Sequence, residues 1–306
     1  MYWLYKLSSH IWALLNRSLA VLSRLFGPLN AWLWSHSDHA SDDLEERAEV
    51  TKENDIQPGE RELGLVCGEE KPSHQNKISH GIFATVHKLS DCRVRKVPAT
   101  SDIYDQTAIR TESRIYRHLG EHPRILQTLA CGDDYVDLLY MKNGNLEDYL
   151  RSHHPASSKV LRRFARQTVE AVDFIYEKEI VHSDLAARQF LVDDFLDLRL
   201  SDFGGSSIQG SEALGLEGTT HFLPRDDTLL NTIQSDIFAL GSTIYEIFCG
   251  KRPYEGKQDD EIHNLFKRSI FPGLGAIEEP WGSIIAKCWN CQYNSTNDIL
   301  LDLSYS

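Results

Sequence analysis

The chain is predicted to adopt an α+β fold, with its strand-forming stretches early, its long helices late, and a separate amphipathic segment with an acidic linker ahead of both. Three observations lead there. Ile78 to Leu89 alternates in the manner of strand, turn, strand. Phe190-Leu-Val192 and Leu198-Arg-Leu200, separated by Asp193-Asp-Phe-Leu-Asp197, read as a short hairpin. Ser235 to Phe248 is almost wholly apolar, the pattern of a buried helix.

Residues 1–26 read as a helix ended by Gly27-Pro28. Leu4, Leu7, Ile11, Leu15, Leu22 and Leu25 share one face, and Lys6, His10, Arg17 and Arg24 share another. Residues 1–37 contain no Asp or Glu. The uncharged runs fall well short of the roughly 20 residues that span a bilayer. Bases also interrupt the apolar stretch, where a secretory signal would place them before it. The segment therefore suits a membrane interface or a basic targeting presequence, with a helix packed on the chain's own surface as the plain alternative.

Residues 38–70 are crowded with acids from Asp38 to Glu60 and poor in large apolar side chains, the composition of a solvated linker. The formal net charge of −13 argues against nucleic-acid binding, which needs clustered cations. The 6 cysteines fall at no framework spacing, which points to a reducing, intracellular setting. Cys288 and Cys291 form a lone CxxC, read as ordinary thiols.

From about residue 71 the pattern is globular. Ser101–Leu119 and Ser158–Lys178 have helical spacing. Between the second of these and the hairpin lies Val181-His-Ser-Asp184-Leu-Ala-Ala-Arg188-Gln189-Phe-Leu-Val192. A carboxylate followed by a cation and then an amide suits phosphoryl transfer. Asp184 can receive a hydroxyl proton, Arg188 offset phosphate charge, and the Gln189 oxygen hold a metal. Asp202-Phe-Gly204 follows the hairpin, where a carboxylate can bind Mg²⁺ and the glycine loosens the loop.

In this order, the two motifs resemble the catalytic and metal-binding loops of eukaryotic protein kinases, with a flavour similar to short divergent kinases of filamentous fungi. That resemblance implies a bilobal fold over 71–306, with a small β-rich lobe over 71–138 and a larger helical lobe from 143. Ile78-Ser-His-Gly81-Ile-Phe-Ala-Thr-Val86 resembles the glycine-rich loop over ATP, with Ser79 and Ala84 in place of the outer glycines. Lys96 matches the strand lysine that reaches the phosphates, and Glu112 the helix carboxylate that orients it. Leu138-Leu-Tyr140-Met141 resembles the hinge, with Leu138 gating the adenine pocket. Asp236 matches the residue that braces the catalytic loop.

The resemblance thus implies ATP and Mg²⁺, with Mn²⁺ as a substitute, and a protein acceptor, Ser/Thr ahead of Tyr. Departures from the family pattern set the expectation of weakened activity. Ser183 stands in place of a phosphate-binding arginine, and Gln189 in place of asparagine. Arg225 stands in place of a glutamate, and no arginine follows Arg268, so both members of a large-lobe ion pair are expected to be lost. The alternative is a pseudokinase that binds or scaffolds. His182, Trp281 and Trp289 are read as core residues, and Asp193, Asp194 and Asp197 as solvated turn acids.

Overall fold

In the computed structural model, Lys77–His80 (β1), Ala84–Lys88 (β2), Arg93–Pro98 (β3), Thr128–Cys131 (β4) and Val136–Leu139 (β5) form one antiparallel sheet in the order β1-β2-β3-β5-β4. The chain divides after Val66. The structure describes residues 76–153, 156–226 and 230–304. The amphipathic segment at 1–37 and the acidic linker at 38–70 lie outside the described residues.

Alternation places Arg93 and Arg95 on one face of β3. Both reach Asp137 on β5, Arg95 Nε donating to Oδ1 at 2.7 Å and the Arg93 guanidinium to Oδ2. Asp137 is fully buried. Burial works against its charge, and the two guanidiniums more than offset it, holding its carboxyl below the usual range.

Helix α1 (Ile103–Leu119) follows β3 and packs on the sheet. Asp102 caps it by accepting from the Tyr104 N–H at 2.8 Å. Ala108, Ile109, Glu112, Ile115, Tyr116 and Leu119 are buried at the i, i+3, i+4 spacing of one face.

The second region is helical: α2 (Leu146–His153), α3 (Ser158–Glu177), α4 (Ile233–Cys249), α5 (Asp259–Lys267), α6 (Trp281–Trp289) and α7 (Thr296–Ser304). Helix α4 is its buried axis and packs against α3 and α6. It begins two residues before the apolar run, because Thr232 and Ser235 form a capping box. Trp281 and Trp289 are buried, and the Trp289 indole N–H donates to Ser242 Oγ at 3.0 Å. Cys288 is a buried free thiol and Cys291 an exposed one. Among the described residues, no His, Cys, Asp and Glu side chains cluster as metal ligands, and no helix is long and apolar enough to cross a membrane.

Four short strands lie between α3 and α4. Phe190–Val192 (β7) pairs antiparallel with Leu198–Leu200 (β8), as the hairpin pattern predicts. Ile180–Val181 (β6) pairs with Ser207–Ile208 (β9). The hairpin turn corrects one expectation. Asp194 is exposed, but Asp197 takes a charged hydrogen bond from Arg163 at 2.7 Å, another from the Gln167 amide and a longer one from Arg124. Asp193 accepts from the Phe195 and Asp197 N–H groups and from Arg199. These two acids tie the turn to α3 and to itself, and they are not simply solvated. The basic residues that engage Asp197 lie 30 or more positions away in sequence, so local reading missed them.

Candidate active site

Three segments converge between the sheet and the helical region. The β2–β3 register sets Val86 opposite Lys96, and side chains of such a pair share one face. Lys96 Nζ lies 2.7 Å from Glu112 Oε2 on α1 and 2.5 Å from Asp202 Oδ1 just past β8. Glu112 is fully buried and Lys96 is 8% exposed, whereas half of the Asp202 side chain faces solvent. Burial disfavours the Lys96 charge, but the two carboxylates outweigh it and raise its pKa. Glu112 is shifted upward, chiefly by burial, with Lys96 partly offsetting it. Burial also works against the Asp202 charge, yet Lys96 keeps that carboxyl below the usual range.

Phe203 is completely buried beneath this trio. Its ring meets Tyr116 edge-on at 5.2 Å and His182 at 5.3 Å. His182 bonds Ser201 O at 3.1 Å, and burial lowers its pKa, so the ring is a neutral core group.

The loop after β6 is braced from α4. Asp236 accepts from the His182 N–H at 2.6 Å and the Ser183 N–H at 2.9 Å. Ser183 (φ 69°) and Asp202 (φ 66°) both occupy the left-handed region, costly for residues with a side chain and tolerated where surrounding bonds fix the loop. Ser183 is fully buried and holds no charge. Glu246, also on α4, accepts from the Ala187 N–H at 2.9 Å. His221 Nε2 stands 3.5 Å from the same carboxylate.

Within this loop, the Arg188 guanidinium bonds Asp184 Oδ1 and the Gln189 amide nitrogen lies 2.6 Å from Asp184 Oδ2. The Gln189 carbonyl accepts from the Ser201 N–H and hydroxyl, each at 2.9 Å. That pairing places Gln189 opposite the neighbour of Asp202. A carboxylate and an amide oxygen are ligand types that suit Mg²⁺, which commonly keeps waters and takes its other ligands from phosphates.

Gly81 closes its turn by donating to Ala84 O at 2.8 Å without a positive φ, and a Cβ there would make ordinary contact. Ala84 is buried in the core and Ser79 is exposed. Gly204 also has room for a Cβ. The close approach is one residue on, where a Cβ on Gly205 would come within 2.8 Å of the Gly215 backbone. Of the hinge residues, Leu138 is buried opposite Val94, Met141 is buried, and the Tyr140 N–H donates to Cys92 O at 2.9 Å. Ile78 is half exposed on β1.

Sequence reasoning missed Glu217. Arg225 stands where the family pattern has a glutamate, and its guanidinium lies 2.8 Å from Glu217 Oε2 and 2.5 Å from Asn231 Oδ1. Arg225 thus forms a buried ion pair of its own. The available signal was weak: one acid among the small and apolar residues Leu214-Gly-Leu-Glu217-Gly. Glu217 also acts on Asp236, whose pKa is pushed up to about 8, by burial first and by this second acid next.

Residues 74–295 match the family model described as protein kinase domain. The chain is 29% identical to the serine/threonine-protein kinase SIK1 of Rattus norvegicus, covering 63% of this chain and 28% of that protein. It is 29% identical to fibroblast growth factor receptor 2 of Dugesia japonica, with 68% and 28% covered. It is 30% identical to the tyrosine-protein kinase transmembrane receptor Ror of Drosophila melanogaster, with 71% and 35% covered. The matches thus span about a third or less of each of these relatives. With an antiparallel sheet followed by a helical region, and a family match over most of its length, the chain belongs to the protein kinase family.

Proposed function

We propose that this chain transfers the γ-phosphoryl group of ATP to a protein hydroxyl, Ser or Thr ahead of Tyr, at a reduced rate. The observation that carries the reading is the Lys96 ammonium held between Glu112 and Asp202, with Phe203 buried below. Lys96 in this position meets the α- and β-phosphates as a fixed cation, and Glu112 keeps it aimed. Asp184 takes the acceptor's proton as its oxygen bonds phosphorus and the bond to the ADP oxygen breaks. Arg188 offsets charge beside it. Ile78, Gly81, Val86, Leu138, Tyr140 and Met141 enclose the nucleotide. Asp202 and the Gln189 oxygen hold the metal, which neutralises phosphate charge when bound. Glutamine presents that oxygen one bond further out than asparagine would, so Mn²⁺, with its more forgiving geometry, serves better than Mg²⁺.

The preference for Ser and Thr follows the named activity of SIK1, while the tyrosine-protein kinase receptor Ror, of similar identity, keeps Tyr as the second class. Residues 1–26 would bring the kinase to a membrane surface or an organelle.

The test is transfer of radiolabelled phosphate from ATP to a panel of Ser, Thr and Tyr peptides, with Asp184→Asn as the control. Labelling that disappears in the control supports the reading. A chain that labels nothing while Mg²⁺·ATP still raises its melting temperature is a pseudokinase. That second reading is favoured by one observation: both oxygens of Asp184 are already engaged.

A further inference from the structure

A carboxylate that must face an incoming hydroxyl has a soft torsion. The last χ angle of aspartate joins sp³ to sp² carbon, and its distribution is broad. Left alone, the Asp184 oxygens would sweep an arc. Here each oxygen has its own donor, Arg188 on Oδ1 and the Gln189 amide nitrogen on Oδ2. An ionised carboxylate only accepts, so the amide must turn its nitrogen inward. At 2.6 Å the contact is short, as charge-assisted hydrogen bonds are.

Gln189 is itself held. Its N–H donates to Ala186 O at 3.0 Å, its carbonyl accepts twice from Ser201, and the residue is 5% exposed. With the backbone pinned at both ends, reach decides the contact. An asparagine on the same backbone would fall short by one carbon–carbon bond, about 1.5 Å, and would lie beyond hydrogen-bond range.

We infer that Gln189 is a positioning residue for Asp184, fixing the carboxylate plane by a hydrogen bond from its amide N–H that the longer side chain alone can make. This rests on the reading of Asp184 as the group that takes the acceptor's proton. The added methylene thereby has two consequences. It moves the amide oxygen outward from the metal, and it brings the nitrogen onto the base. Displacement of a reacting group on the order of 1 Å costs roughly 100-fold in rate, so the hold matters for turnover.

The discriminating variant is Gln189→Glu. It keeps the length and an oxygen for the metal but sets a carboxylate against Asp184. For peptide phosphorylation we expect kcat to fall about 10- to 100-fold, with KM for Mg²⁺·ATP within about 3-fold and the melting shift given by Mg²⁺·ADP retained. Gln189→Met, which lacks both oxygen and nitrogen, loses the melting shift as well. A Glu variant with the parental kcat overturns the inference.

A cycle of melting temperatures reads the contact without catalysis. Gln189→Glu should cost several degrees in the parent and little or nothing alongside Asp184→Asn, where an amide faces the new carboxylate. Additive effects overturn the contact. If the parent transfers no phosphate, the proposed function falls, and the melting cycle still decides whether Gln189 holds Asp184.

Discussion

Glu217 Oε2 lies 2.8 Å from Arg225 Nη2, with the glutamate side chain fully buried and the arginine side chain 8% exposed. Arg225 also donates to Leu223 O and Asn231 and lies over the Phe222 ring at 4.6 Å. Removing one partner from a buried pair strands the other charge, at a cost of about 3–5 kcal/mol, whereas replacing both with apolar residues is often close to neutral. Glu217→Leu and Arg225→Met should therefore each lower the midpoint of urea unfolding sharply, and the double variant should recover most of the loss. A double variant as unstable as the sum of the singles would show that the pair is not the source.

Asp236 gives stability a pH dependence. Its folded-state pKa is raised from 3.8 to about 8, by burial and then by Glu217. A raised pKa means that the folded protein binds a proton the unfolded chain has released. The associated stability is complete below the unfolded value and is lost as pH rises through about 8. Between neutral pH and pH of about 9, the loss should be on the order of 1 kcal/mol, visible as a falling melting temperature. Glu217→Gln removes the second acid, moves the loss to lower pH and flattens the profile over that window. An unchanged slope in that variant would rule out Glu217 as a cause.

Lys96 serves two carboxylates, so its removal should disturb stability as well as activity. Lys96→Met leaves Glu112 buried without its cation. We expect phosphoryl transfer to fall more than about 100-fold, which is 2.7 kcal/mol, together with a lower melting temperature. Adding Glu112→Gln should restore much of the melting temperature and none of the activity, because the uncompensated charge has gone while the phosphate cation is still missing. Thermal melting and labelled-phosphate transfer on the same preparations would separate the two effects.

Activity should not require a phosphate between Asp202 and Arg225. Ser183 is buried and uncharged, and its N–H is committed to Asp236, so it gives a phosphate no cationic partner. Two of the hydroxyls that a sequence scan would nominate, Ser206 and Ser207, are buried, and Ser206 Oγ donates to His182 O at 2.9 Å. Ser206→Ala should lower stability by about 1 kcal/mol through that lost bond. Ser211→Ala, Thr219→Ala and Thr220→Ala should be modest in effect. Phosphatase treatment that abolishes transfer, or a loss of about 100-fold at Ser211, would show that another cation has taken over the role.

Much of this molecule is fixed by local sequence. The hairpin pairs as its alternation predicts, α1 buries the face its spacing predicts, and the apolar run over Ser235–Phe248 becomes the axis of the helical region. Asp184 and Asp202 stand in short motifs whose residue types suit the chemistry of phosphate and metal, while Lys96 and Glu112 are legible only through the resemblance to the kinase pattern. What tertiary structure alone decided are the long-range electrostatic pairings. Glu217 meets Arg225 and presses on Asp236, Asp197 collects basic groups from two distant segments, and the Gln189 amide turns its nitrogen to Asp184. The close approach that demands glycine, Gly205 against the Gly215 backbone, is likewise decided by the fold. Periodicity encodes which face of an element is buried, since burial of apolar area is roughly additive and local. A hydrogen bond or ion pair depends on distance and direction between groups that only the folded chain brings within reach, and no pattern in the sequence carries that information.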